Sequence, residues 1–173
     1  YAMLPRATVE RTDRERRGAG GRTQEIQRLI GRSLRAAMRT MAIGDWTIKV
    51  DCDVLTADGG TRTASITGGC VALADACAWL ANRAGIANPF GQLVAAVSVG
   101  IIGGEPRLDL AYLEDRDAWV DANIVMVQPD QYVEVQGTGE KGTFARGELD
   151  LVLALAESGI QQLFQTQQKA LGW

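Results

Sequence analysis

Apolar and polar positions change period several times along this chain, and each change marks an element. From Thr23 the apolar residues Ile26, Leu29, Ile30, Leu34, Ala37 and Met38 recur at spacings of three and four, which predicts a helix with one buried stripe. Gly44-Asp45 ends that pattern. Trp46 to Leu55 then alternates, with Trp46, Ile48, Val50, Cys52 and Val54 on one side and Thr47, Lys49, Asp51 and Asp53 on the other, as in a half-buried strand. The turn Ala57-Asp58-Gly59-Gly60-Thr61 leads into a second helix, about Arg62 to Asn82, whose Ala and Gly content permits close packing.

The second half reads as a meander followed by a helix. Gln92 to Ile102 is an apolar, β-like run ended by Gly103-Gly104. Shorter strands are expected at about 107–113, 123–128 and 131–136, with Pro129-Asp130 as a hairpin turn. A last helix, about Gly147 to Leu171, has Leu149, Leu153, Leu155, Ile160, Leu163 and Phe164 on its apolar face. Residues 1–21, rich in Gly and Arg and without a sustained period, read as a loop. The order of elements predicts an α+β fold: a mixed, largely antiparallel sheet packed against helices in a single domain.

Composition removes several classes of chemistry. There is no histidine, so serine–histidine triads, paired-histidine nucleases and histidine–zinc hydrolases are excluded. Acid–base or metal chemistry must come from carboxylates, with arginines supplying positive charge. Cys52, Cys70 and Cys77 lack metal-ligand spacing and stand among apolar residues, as free thiols of a reducing cytoplasm do. No apolar run approaches the ~20 residues of a membrane span, and no signal peptide precedes the first arginines. Net charge is −3, but residues 1–40 hold ten arginines against four acids. A basic front end suits a polyanion partner, and a solvated helix face with internal ion pairs accounts for it equally.

Two segments are built for an anion. Gly20-Gly21-Arg22-Thr23 precedes the first helix, and Asp58-Gly59-Gly60-Thr61-Arg62-Thr63 precedes the second. Each sets a glycine turn and an arginine at a helix N-terminus, where free N–H groups and the helix dipole favour negative charge. The G-x-G-x-x-G pattern of a dinucleotide site is missing. Further on, Glu114, Asp115, Asp117 and Asp121 crowd into eight residues. Asp115 and Asp121 are candidates for a hard divalent cation such as Mg²⁺, and one carboxyl could protonate a departing sugar oxygen. A solvated acidic loop is the simpler account of the spacing alone.

Longer motifs point to one family. Met3-Leu4-Pro5-Arg6, the run Gly21-Arg22-Thr23-Gln24-Glu25-Ile26-Gln27-Arg28-Leu29-Ile30, Asp51-Cys52-Asp53-Val54-Leu55, the run from Asp58 to Gly68, Val94 to Gly100 and Glu134-Val135-Gln136-Gly137-Thr138 together resemble the ribonuclease PH family over essentially the whole chain. The resemblance implies a phosphate-dependent 3′–5′ exoribonuclease, in which inorganic phosphate is co-substrate and nucleoside 5′-diphosphates leave reversibly. It implies phosphate binding by Arg22, Gly60, Thr61 and Arg62, and catalytic and Mg²⁺-binding roles for Asp115 and Asp121. Arg6, Arg11 and Arg14 match arginines that contact RNA, the expected substrates being single-stranded 3′ ends of tRNA precursors. A homohexamer, a trimer of dimers, in the cytoplasm is the implied assembly, without membrane association. A non-catalytic, RNA-binding ring subunit of an exosome-like assembly is the alternative.

The family pattern also has strands ahead of the position of Tyr1, so the fold is expected to be N-terminally incomplete. Arg116 stands where a small serine is usual, and Ala122 replaces a methionine beside Asp121.

Overall fold

The computed structural model describes residues 1–11 and 19–173. Its elements run β1 (Ala2–Met3), α1 (Gly21–Ala36), a 3₁₀ turn (Thr40–Ile43), β2 (Asp53–Val54), α2 (Thr61–Ala84), β3 (Val94–Ile102), β4 (Glu105–Leu108), α3 (Tyr112–Asp117), β5 (Val120–Val127), β6 (Gln131–Gly139) and α4 (Arg146–Leu171). The main sheet has the order β4-β3-β5-β6 and is antiparallel throughout, while β1 and β2 form a separate parallel pair. The mixed, largely antiparallel α+β class expected from the sequence is therefore the observed one.

Helices α1, α2 and α4 pack together and against the sheet, chiefly on β3. The apolar stripe of α1 is the expected one, with Ile26, Leu29, Ile30 and Leu34 buried. They join Ile66, Cys70 and Leu73 of α2, Val97 and Val99 of β3, Ile124 and Met126 of β5, and Ile160 and Phe164 of α4 in one core. By length and hydropathy α2 would suffice to cross a membrane. Its Arg62, Asp75 and Arg83, and its contacts with α1, β3 and α4, make it the central core helix instead.

Among the described residues, half of β3 has no strand on the side away from β5, since β4 pairs only with Val99–Ile102. Side chains take the place of the missing ladder. The Val94 amide donates to Cys70 Sγ at 3.2 Å and the Ala96 amide to Thr67 Oγ1 at 3.1 Å. Gln167 Nε2 donates to the carbonyls of both Thr67 and Val94 at 2.8 Å. A buried strand edge is thus satisfied without another strand.

Three local expectations are corrected. The alternation holds from Ile48 to Val54, where Ile48, Val50, Cys52 and Val54 are half-buried and Lys49, Asp51 and Asp53 exposed, but Trp46, expected on the covered side, is exposed, and only Asp53–Val54 is paired as a strand. Side-chain period sets which face is covered; a ladder also needs a neighbour, and here only Ala2–Met3 supplies one. The strand expected at 107–113 ends at Leu108, because Asp109 adopts a left-handed backbone (φ 59°) and the chain turns into α3. Finally, β5 begins at Val120 rather than 123, which brings Asp121 into the sheet. The hairpin turn at Pro129-Asp130 lies where expected, between β5 and β6, with a cis bond before Pro129.

Of the thiols, Cys70 and Cys77 are buried and Cys52 half-buried, and none is in a disulfide. Burial pushes the Cys70 thiol up to about 11.

Candidate functional site

The two glycine turns meet at the first turns of α1 and α2. Gly20 and Gly60 are the N-cap residues of these helices, and neither offers a capping side chain. Arg62 Nη1 donates to Glu25 Oε1 at 3.2 Å, so the start of α2 is tied to the start of α1. Arg22 is exposed and lies three residues before Glu25, on the same side of α1. Gly60 is left-handed (φ 56°), which a glycine tolerates readily. The Thr61 hydroxyl is hydrogen-bonded to the Tyr1 hydroxyl at 2.8 Å.

The second turn is also locked to the segment before α3. A Cβ on Gly59 would lie 2.1 Å from the Leu110 carbonyl oxygen, so only glycine permits this approach. Asp58 Oδ1 accepts the Tyr112 amide at 3.1 Å, and Ser98 Oγ accepts the Leu110 amide at 3.1 Å. The turn that carries Arg62 and the helix that carries Asp115 are therefore held together by the Asp58 side chain and the close approach of Gly59 to Leu110.

The four acids of the cluster divide by what they touch. Glu114 reaches back to the Ala111 amide at 3.1 Å and caps α3, and it accepts from Arg107 at 3.0 Å. These donors hold its carboxyl below the usual range, the Ala111 amide most strongly. Asp117 is bonded by Arg116 at 3.0 and 3.1 Å, which lowers its carboxyl too. That leaves Asp115 and Asp121, both half-buried, whose carboxylates accept no hydrogen bond among the described residues. Burial pushes Asp121 up to about 6, with Asp115 adding to the rise, Arg62 opposing it and Glu140 adding again. Arg116, the departure from the family pattern, is turned to its neighbour Asp117, and Ala122 is buried beneath Gly137.

Among the described residues no group of three or more His, Cys, Asp or Glu is arranged for a metal. Two neighbouring carboxylates without donors among the described residues are a smaller set. Mg²⁺ commonly takes one or two carboxylates and completes its shell with water and phosphate oxygens, so Asp115 and Asp121 fit that ion.

The front segment also approaches the second turn. The Ala7 carbonyl accepts the Ala57 amide at 2.7 Å, and Ala7 is buried, which leaves its neighbour Arg6 exposed beside that turn. Arg11 is exposed four residues past Ala7, and Arg14 lies outside the described residues. The structure thus brings Arg62, Asp115 and Asp121 into one electrostatic neighbourhood, with Gly60 and Thr61 on the adjoining turn. Glu25, Ser98, Asp109 and Glu140 belong to the same neighbourhood and were not singled out from sequence. Ser98 did carry a signal, as the lone hydroxyl within an apolar strand.

Two family models match the chain. The 3′ exoribonuclease family, domain 1, covers residues 1–78, and the 3′ exoribonuclease family, domain 2, covers residues 92–159. Among solved structures, rice (Oryza sativa) Rrp46 is similar with a TM-score of 0.64 at 16% identity, covering 90% of this chain and 68% of that one. An Archaeoglobus fulgidus exosome with RNA bound to the active site gives 0.66 at 18% identity, over 88% of this chain and 64% of that one. An archaeal exosome core gives 0.63 at 18%, over 85% and 64%. The chain therefore spans 64% of the length of the two archaeal chains, and at these identities the likeness is one of fold.

Proposed function

The chain belongs to the 3′ exoribonuclease family, and we propose that it is a phosphate-dependent 3′–5′ exoribonuclease that shortens RNA, with tRNA precursor 3′ ends as substrate. The observation that carries this reading is the convergence of Arg62 with Asp115 and Asp121. An attacking anion and a transferring phosphoryl group need positive charge and carboxylate-held metal within one site.

In the reaction an oxygen of inorganic phosphate attacks the phosphorus of the terminal phosphodiester. The bond from phosphorus to the 3′-oxygen of the preceding nucleotide breaks, and a nucleoside 5′-diphosphate leaves. Arg22 and Arg62 neutralise the incoming phosphate, which the RNA backbone would otherwise repel, and the Gly60-Thr61 turn presents N–H groups to it. Asp115 and Asp121 would hold a Mg²⁺, which when bound supplies charge neutralisation at the transferring phosphoryl group. The departing 3′-oxygen takes the proton carried by the attacking hydrogen phosphate, since carboxylates that hold Mg²⁺ are deprotonated. Arg6, Arg11 and Arg14 serve as the RNA-contacting arginines. A homohexameric ring in the cytoplasm is the proposed form.

One observation favours the second reading, a non-catalytic RNA-binding ring subunit: the Arg62 guanidinium is already engaged by Glu25. An RNA with an unpaired 3′ tail, incubated with Mg²⁺ with and without inorganic phosphate, separates the two. Nucleoside diphosphates released only with phosphate support phosphorolysis. Monophosphates released without phosphate overturn it, and RNA binding without any product favours the ring subunit.

A further inference from the structure

The ion pairs of α1 set two of its arginines apart. Arg32 is held by Glu134 through two bonds of 2.9 Å. Arg28 and Arg35 are exposed and form no ion pair or side-chain hydrogen bond among the described residues. Seven residues apart, they stand on the same face of the helix, about 10 Å from one another along its axis.

Between them lies a groove of about 350 Å³ lined by Gln24, Gln27, Arg28, Gly31 and Arg35, without a single acid. Gln24 spends its amide nitrogen on the Ala19 carbonyl, while Gln27 keeps its amide unbonded. Gly31 forms the floor. A Cβ there would meet only the Arg35 guanidinium, at 3.7 and 4.0 Å, which is ordinary contact. Alanine would fit and would favour the helix, so packing within this chain does not explain the glycine. What the glycine gives is close approach to the helix between two unpaired cations.

We propose that this groove binds RNA phosphodiester backbone upstream of the 3′ end, with Arg28 and Arg35 on phosphate oxygens and Gln27 donating to a phosphate or sugar oxygen. Charge decides the occupant: two cations and amide donors without a carboxylate suit a polyanion and repel a basic segment. Arg22 stands at the N-terminal end of the same helix, so a strand ending at the phosphate site would run along α1. The inference rests on the reading that this chain binds RNA by its 3′ end.

The test is fluorescence anisotropy with 5′-labelled RNAs of about 4 and about 20 nucleotides, at several salt concentrations, comparing the full chain with Arg28→Ala/Arg35→Ala and with Gly31→Leu. Wild type should bind the long RNA more tightly and with the steeper salt dependence. The double variant should lose about tenfold or more on the long RNA, with the slope of log K against log salt shallower by about 1.4 for two lost contacts, and be unchanged on the short one. Gly31→Leu, which fills the groove without altering charge, should weaken the long RNA alone. Unchanged binding of the long RNA in both variants would overturn the proposal, as would equal weakening of both RNAs or tighter binding of an acidic polypeptide. Loss of length dependence in a chain that never shows phosphorolysis would leave this groove standing and sink the enzymatic reading; intact length dependence in an active enzyme would do the reverse.

Discussion

The charge of Arg62 acts directly on the carboxyl of Asp121, opposing the upward push of burial and of Asp115. The first turn of α2 and the second residue of β5 thus share one electrostatic site, with Glu25 holding the other side of the guanidinium. Arg62→Ala is expected to lower phosphate-dependent release of nucleoside diphosphates by about 10²–10³-fold, as removal of a positioned donor does elsewhere. Glu25→Gln should leave turnover within about tenfold and act mainly on the KM for phosphate, which a phosphate titration will read.

Asp121 should make stability fall with rising pH when no divalent cation is present. Its carboxyl is raised from 3.8 to about 6, so between those values the folded chain binds more protons than the unfolded one. Stability gained from that proton is complete below the unfolded value and lost as pH rises through about 6. Asp121→Asn is therefore expected to raise the melting temperature at pH 7–8 by a few degrees and to flatten the profile between pH 4 and 6. Melting curves in a metal-free buffer series will show it.

Divalent cation should reverse the penalty. Mg²⁺ at about 100 times its Kd would stabilise the folded chain by about 2.7 kcal/mol if it binds only that state. Asp115→Asn and Asp121→Asn should each abolish most of the gain, whereas Asp117→Asn, whose carboxylate is committed to Arg116, should retain it. Equal Mg²⁺ response in all three variants would take the cation away from this pair.

The close packing of Gly59 can be tested through folding alone. Gly59→Ala puts a Cβ 2.1 Å from the Leu110 carbonyl at φ +82°, and should cost about 2 kcal/mol or more in urea denaturation. Gly147→Ala is the control. Nothing lies within 4 Å of its Cβ, and the change should be neutral or slightly stabilising.

Gln167 should be among the costliest polar side chains to remove. Truncation to alanine leaves the carbonyls of Thr67 and Val94 without their donor and opens space in the core, a loss of about 2–4 kcal/mol. The same side chain keeps a buried Oε1 without a partner. The amide nitrogen must face the two carbonyls, so its oxygen has no choice.

What was legible in the sequence follows the range over which each signal acts. The helical stripe of α1, from Ile26 to Leu34, is set by neighbours within a few turns, and it was readable directly. Residues 46–55 show the limit: from Ile48 to Val54 their alternation reports burial, while strand pairing depends on which segment lies alongside. The start of β5 was obscured because Asp121 is polar, and its partner Gly100 on β3 makes it a sheet residue. The division of the acidic cluster was beyond sequence for the same reason. Glu114 and Asp117 differ from Asp115 and Asp121 by Arg107, the Ala111 amide and Arg116, and by the depth at which β5 places Asp121.

The bond from Asp58 to Tyr112 and the contact of Gly59 with Leu110 cross from one family segment to the other. Arg22 and Arg62 fall in residues 1–78, and Asp115 and Asp121 in residues 92–159. Neither half owns a complete site. The candidate centre is a seam, assembled only when the two halves dock, so its geometry is fixed by the same packing that makes the chain one folded body. A ligand held at the glycine turn and one held at the carboxylates would be linked through the Asp58–Tyr112 bond and the Gly59–Leu110 contact.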